Sequence, residues 1–185
     1  MCGFSGFLNF NSNWGNPLTL LQQMGDQLTH RGPDDSGVWF DNNCGVGLSH
    51  RRLSIIDLSA QGHQPMFSTS GRFVIAYNGE IYNHQELKKE LLQARVIFRG
   101  GSDTEVLLAA IESWGIKQTL QRCIGMFAFS LWDKKEQTLS LVRDRMGEKP
   151  LYYGWQGKGD KRTFLFASEL KSLRQHPAWQ GGVDR

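Results

Sequence analysis

The chain has little of what would tie it to a metal, an oxidising compartment or a membrane. Only three cysteines occur in 185 residues, Cys2, Cys44 and Cys123. Their number is odd, no pair has Cys-x-x-Cys spacing, and no histidine follows one at ligand distance. Neither a disulfide framework nor a zinc site is expected, and a reduced, cytoplasmic setting is. His30, His50 and His63 share no common spacing, so no other metal site is expected either. No segment approaches the roughly 18 apolar residues of a membrane helix, and the first ten residues lack the basic start of a signal peptide. One-signed charge is missing too: 21 Lys and Arg against 18 Asp and Glu leave a net charge of +3. With no run of five like charges, neither a nucleic-acid nor a membrane surface is expected as partner. Only 5 prolines, but 21 glycines and 39% hydrophobic residues, predict one globular, loop-rich domain with strands, spanning 1–185.

The hydrophobic pattern alternates strand and helix signals. A strand is expected over 3–9. Asn16-Pro17 supplies a cap and a first-turn proline for a helix carrying Leu18, Leu21, Met24 and Leu28. RGPDDSG at 31–37 reads as a loop, followed by strands at 37–41, 45–51 and 53–57. Another strand runs over 72–78, with Asn78-Gly79-Glu80 as its turn. Asn83 with Glu86, and Ser102 with Glu105, have capping-box spacing. The second opens a helix with Val106, Leu107, Ala110, Ile111 and Trp114 on its apolar face, ended by Gly115 and followed by a short helix at 117–122. Strands at 126–132 and 138–144 flank a turn at 133–136, LYYGW and TFLFAS form a last hairpin, and Ser168 caps a closing helix through Leu170 and Leu173. Phe127, Phe129 and Trp132, like Cys44 and Cys123, read as core. The class is α+β, with helices packed outside β layers.

One position stands apart chemically. Removal of Met1 would give Cys2 a thiol and a free α-amine with a pKa of roughly 8, a nucleophile with its own base. Attack on a carbonyl needs an oxyanion hole. Asn78 and Gly79 offer an amide and an unobstructed N–H, although Asn-Gly is also a hairpin turn. An amino-acid substrate needs both charged ends held. A guanidinium from Arg51 or Arg52 suits the carboxylate and Asp103 the ammonium, although an acid in a first helical turn is ordinary.

Taken in order, Cys2-Gly3, RGPDDSG (31–37), LSHRRLSIIDL (48–58), YNGEIYN (77–83), GSDTE (101–105), GMFAF (125–129) and RDRMGEKPLYY (143–153) resemble the glutaminase domain of glutamine-hydrolysing asparagine synthetases. Those are class II glutamine amidotransferases of the N-terminal-nucleophile type. The resemblance implies an αββα sandwich of two antiparallel sheets flanked by helices. It implies Cys2 as nucleophile, its α-amine as base, and Asn78 and Gly79 as oxyanion hole. Arg52 matches the arginine that holds the substrate carboxylate, and Glu80 and Asp103 match groups near its α-amine. Leu53 and Ile55 match pocket positions, and Arg51 is expected to face outward. Glutamine is the implied substrate, with no cofactor in this domain. The family implies a C-terminal synthetase domain using ATP and Mg, with the tail at VDR leading towards it, RDRMGEKP facing it, and a homodimer open. Other acceptors for the ammonia, such as a sugar or a natural-product acid, and a non-catalytic module if Met1 is retained, are the competing expectations.

Overall fold

A computed structural model describes residues 1–9, 15–54, 60–159 and 162–181. They divide into two compact units, one from Met1–Leu53 with Pro150–Arg185, the other from Ser54–Lys149. Each unit holds one antiparallel sheet and two helices, the α+β class expected.

In the first unit the sheet has five strands in the order β2-β3-β1-β9-β8. They are β1 (Gly3–Leu8), β2 (Asp35–Asp41), β3 (Val46–Arg52), β8 (Tyr152–Gln156) and β9 (Thr163–Ala167). The helices are α1 (Pro17–Asp26) and α4 (Leu170–Leu173). Side chains alternate across a strand, so Phe7, Leu165 and Ala167 share one face, where they pack with Leu20, Leu21, Met24 and Leu173 of the helices. Burying a side chain such as Leu21 contributes about 1.5–3 kcal/mol, which outweighs the weak propensity of a ten-residue helix. The opposite face carries Phe4, Leu48 and Phe166, all at 0% exposure. Asn16 caps α1 as expected, its Oδ1 accepting from Leu18 N and Thr19 N.

Ser168 does not cap α4. Its Oγ accepts instead from Phe4 N at 3.1 Å, and Glu169 is the residue before the helix. The expected strand over 53–57 is also absent at its described end: Leu53 and Ser54 follow β3 as loop, and 55–59 lie outside the described residues.

The second unit holds a four-stranded sheet, β4-β5-β6-β7, of β4 (Met66–Phe67), β5 (Phe73–Ile81), β6 (Gly125–Asp133) and β7 (Thr138–Arg143). Its helices are α2 (His84–Gln93) and α3 (Asp103–Arg122). Phe73, Ile75, Tyr77 and Ile81 from β5 join Phe127, Phe129 and Leu131 from β6 against Leu87, Leu91, Leu107 and Ile111. The segment at 117–122 is continuous with α3 across a kink at Gly115, whose φ of 78° is one that glycine adopts without penalty.

Two capping expectations are corrected. The Asn83 side chain makes no cap bond to α2; its amide donates to Arg122 O and accepts from Ile124 N, both at 2.9 Å. Ser102 does cap α3, accepting from Glu105 N, but the Glu105 carboxylate turns outward to Arg99 N and Gly100 N. The Asn78-Gly79 pair is not a turn: β5 runs straight through it to Ile81.

Candidate active site

In the first unit, β1 and β3 pair with Gly3 opposite Arg51. Cys2 and Arg52 flank that pair, which sets them on the sheet face bearing Phe4 and His50. Arg52 is only 8% exposed. The Cys2 thiol lies against the backbone of Leu53, 3.4 Å from its N and 3.6 Å from its O, so it both accepts from and donates to the main chain of one residue. Met1, in front of it, is 57% exposed. Leu53 thus meets Cys2 through main-chain atoms, while Ile55 lies outside the described residues.

Arg51 does not face outward. Its guanidinium pairs with Asp26 and donates from Nε to Gly25 O, leaving the side chain 14% exposed. It ties β3 to the end of α1, where a cation suits the helix dipole.

Arg31, which sequence reasoning left inside a loop, is the largest omission. Its Nε donates to the carbonyl oxygen of Cys2 at 2.9 Å and its Nη1 to Glu169 Oε1 at 2.9 Å. Gly3 makes room for it: a Cβ there would stand 3.0 Å from Arg31 Cδ. The available signal was the arginine opening RGPDDSG beside a glycine that follows Cys2.

In the second unit, Asn78 and Glu80 lie on the face of β5 opposite Tyr77 and Ile81. Asn78 is 1% exposed, and its Nδ2 is buried with no hydrogen-bond acceptor among the described residues. Native proteins rarely leave such a donor unmatched. Gly79 pairs with Phe127, yet Phe127 gives its O to Asp144 N and its N to Asp144 Oδ2. The pair is therefore the non-hydrogen-bonded kind, and the Gly79 N–H points away from β6, to the side where β4 reaches only as far as Ile75. A Cβ on Gly79 would lie 2.4 Å from Met126 O, so only glycine fits this close crossing of β5 and β6. Asp103, 5% exposed, accepts at Oδ2 from Tyr77 Oη and Ile81 N.

The sequence-derived residues thus fall into two clusters, Cys2, Arg52 and Leu53 in one unit and Asn78, Gly79, Glu80 and Asp103 in the other. The other cysteines make poor nucleophiles. Burial pushes the Cys123 thiol up to about 11, and burial followed by Asp41 raises that of Cys44. Cys44 lies half-buried in the β2–β3 turn rather than in the core, its N–H bonded to Asp41. A groove of about 760 Å³ along β8, lined by Tyr153, Trp155, Leu173 and Trp179, contains none of the candidate residues.

The α+β fold with two antiparallel sheets, and a cysteine at residue 2 beside the first strand, are those expected from the sequence resemblance to glutamine amidotransferases. Residues 1–185 match the family described as the glutamine amidotransferase domain, and the chain belongs to that family. It is 39% identical over 187 residues to asparagine synthetase [glutamine-hydrolyzing] 3 of Bacillus subtilis, covering 100% of this chain and 29% of that protein. It is 38% identical over 173 residues to asparagine synthetase B of Escherichia coli, covering 94% and 30%. It is 38% identical over 182 residues to the amidase chry2 of Gibberella zeae, covering 94% and 26%. The chain therefore spans about a quarter to a third of the length of these relatives. Among solved structures, the glutamine phosphoribosylpyrophosphate amidotransferase of B. subtilis superimposes with a TM-score of 0.75 at 22% identity, covering 96% of this chain and 44% of that one. That likeness concerns the fold.

Proposed function

We propose that this chain hydrolyses glutamine to glutamate and ammonia, and that the ammonia serves an asparagine-synthetase-type domain. The observation that carries the reading is the held Cys2, its thiol against the Leu53 backbone and its carbonyl on Arg31. Once Met1 is removed, the Cys2 α-amine takes the thiol proton as sulfur attacks the glutamine side-chain carbonyl carbon. Asn78 Nδ2 and Gly79 N–H then donate to the oxyanion, a role suited to Asn78, whose buried Nδ2 has no acceptor among the described residues. The C–N bond breaks, the amine returns its proton to the departing ammonia, and a γ-glutamyl thioester remains. Water cleaves that thioester, releasing glutamate and restoring the thiol. Arg52 holds the substrate carboxylate, and Asp103 and Glu80 its ammonium. No cofactor takes part in these steps; ATP and Mg belong to the synthetase chemistry. Location in the cytoplasm and pairing as a homodimer belong to the same reading.

The test is glutamate release by protein whose intact mass confirms loss of Met1. Cys2→Ala is expected to abolish it, and wild-type rates in that variant would overturn the mechanism. Protein that keeps Met1 and binds without turnover would favour a non-catalytic module. The match to the G. zeae amidase supports a second reading, in which the ammonia serves another acceptor. Assaying the full-length protein with aspartate against other acids separates the two.

A further inference from the structure

The nucleophile's carbonyl is held by Arg31, but something must hold Arg31. An arginine, a lysine and a histidine converge on one carboxylate, Glu169, in the turn between β9 and α4. Its Oε1 takes Arg31 Nη1 and His30 Nε2, each at 2.9 Å, and its Oε2 lies 3.3 Å from Lys171 Nζ. Lys171 also lies 3.2 Å from His30 Nδ1. The Arg31 side chain is only 10% exposed, and its Nη2 is buried without an acceptor among the described residues. An arginine so enclosed needs its countercharge. Burial works against ionisation of Glu169, yet the bonds from Arg31, His30 and Lys171 outweigh it and hold the carboxyl below its usual range.

We infer that Glu169 is a positioning residue for the nucleophile: through Arg31 it fixes the carbonyl, and hence the thiol and α-amine, of Cys2. The inference rests on Cys2 being the nucleophile. Hydrogen bonding is directional, so a guanidinium anchored at Nη1 presents Nε to Cys2 O in one orientation. Without the anchor, Arg31 can swing off and the Cys2 carbonyl loses its hold from that side. The same carboxylate balances charge near the thiol. Among the described residues, the titratable and charged groups on the elements that hold Cys2 are Arg31 with Glu169, His30 and Lys171 on one side, and on the other Arg52, opposite Asp35 of β2 with Asp34 beside it, and the Arg51–Asp26 pair from β3 and α1.

The test compares Glu169→Ala, Glu169→Gln, Arg31→Lys and the Arg31→Lys/Glu169→Ala double variant, all lacking Met1. Glu169→Ala is expected to lower kcat about tenfold with KM within about twofold. If Glu169 acts through Arg31, the double variant loses no more than the worse single one. Cys2 alkylation by iodoacetamide, followed by mass against pH, needs no glutamine turnover. In Glu169→Gln, loss of the negative charge leaves Arg31 and Lys171 uncompensated, favours the thiolate and moves the midpoint to lower pH by about half a unit or more. Unchanged kcat, losses that multiply in the double variant, or a fixed alkylation midpoint alongside a lowered Tm would overturn the inference. If Glu169→Ala fails to fold, the near-isosteric Glu169→Gln carries the test. Should wild-type protein release no glutamate, the proposed function fails, while the alkylation midpoint still decides for or against Glu169.

Discussion

The hydroxyl of Tyr77 donates to Oδ2 of Asp103 at 2.8 Å, so an aromatic residue of β5 aims the acid that opens α3. Ile81 N donates to the same oxygen, and the two bonds fix the carboxylate against the strand that carries Asn78. Tyr77→Phe is expected to raise KM for glutamine about three- to tenfold with kcat nearly unchanged, since it removes one bond of about 1 kcal/mol from the group proposed to hold the substrate ammonium. Steady-state kinetics on glutamine check this; an unchanged KM would detach Asp103 from substrate binding.

Asn78 offers a sharper separation of stability from activity. Its buried Nδ2 has no acceptor among the described residues, and a buried donor left unmatched costs about 1–3 kcal/mol. Asn78→Leu is therefore expected to leave the unfolding free energy unchanged or raised by about 1 kcal/mol, while glutamine turnover falls about 10²–10³-fold. Urea unfolding beside a glutaminase assay measures both.

At Gly79 the two properties should fail together. A Cβ would meet Met126 O at 2.4 Å and Phe127 Cα at 2.6 Å, both on the neighbouring strand, where no rotamer change relieves the clash. Gly79→Ala is expected to cost about 2–3 kcal/mol of stability, read as a lower urea midpoint, and to remove activity by displacing β5.

His176 predicts the acid limit of the fold. Burial lowers its pKa to about 4; it packs edge-on against Phe7 at 5.0 Å and accepts from Ala178 N at Nδ1. The folded state thus prefers the neutral ring, whereas the unfolded chain binds a proton below about 6.5. Stability is full above pH 6.5 and drains away towards pH 4, by roughly 3 kcal/mol in total. Unfolding measured from pH 7 to 4 should show this slope, and His176→Phe should flatten it.

Helix starts were legible where a side chain caps its own helix, as at Asn16 and Ser102. They misled where the same residue types serve another element: Asn83 joins the end of α3 to β6, and Ser168 holds β1. Asn-Gly reads as a turn from local preference alone, yet pairing with β6 keeps it extended, because glycine lets the two backbones approach. The candidate residues were legible through their motifs. Arg31 was not, since its partners Cys2 and Glu169 stand 29 and 138 residues away, and no local pattern records such a contact.

The first strand of this chain lies between β3 and β9, so residue 2 is seated partly by residues 163–169. β1 can therefore complete its pairing only once residues 163–167, about 160 residues further along, have been made. High contact order of this kind slows folding. It also means that a change confined to 163–169 is felt at residue 2.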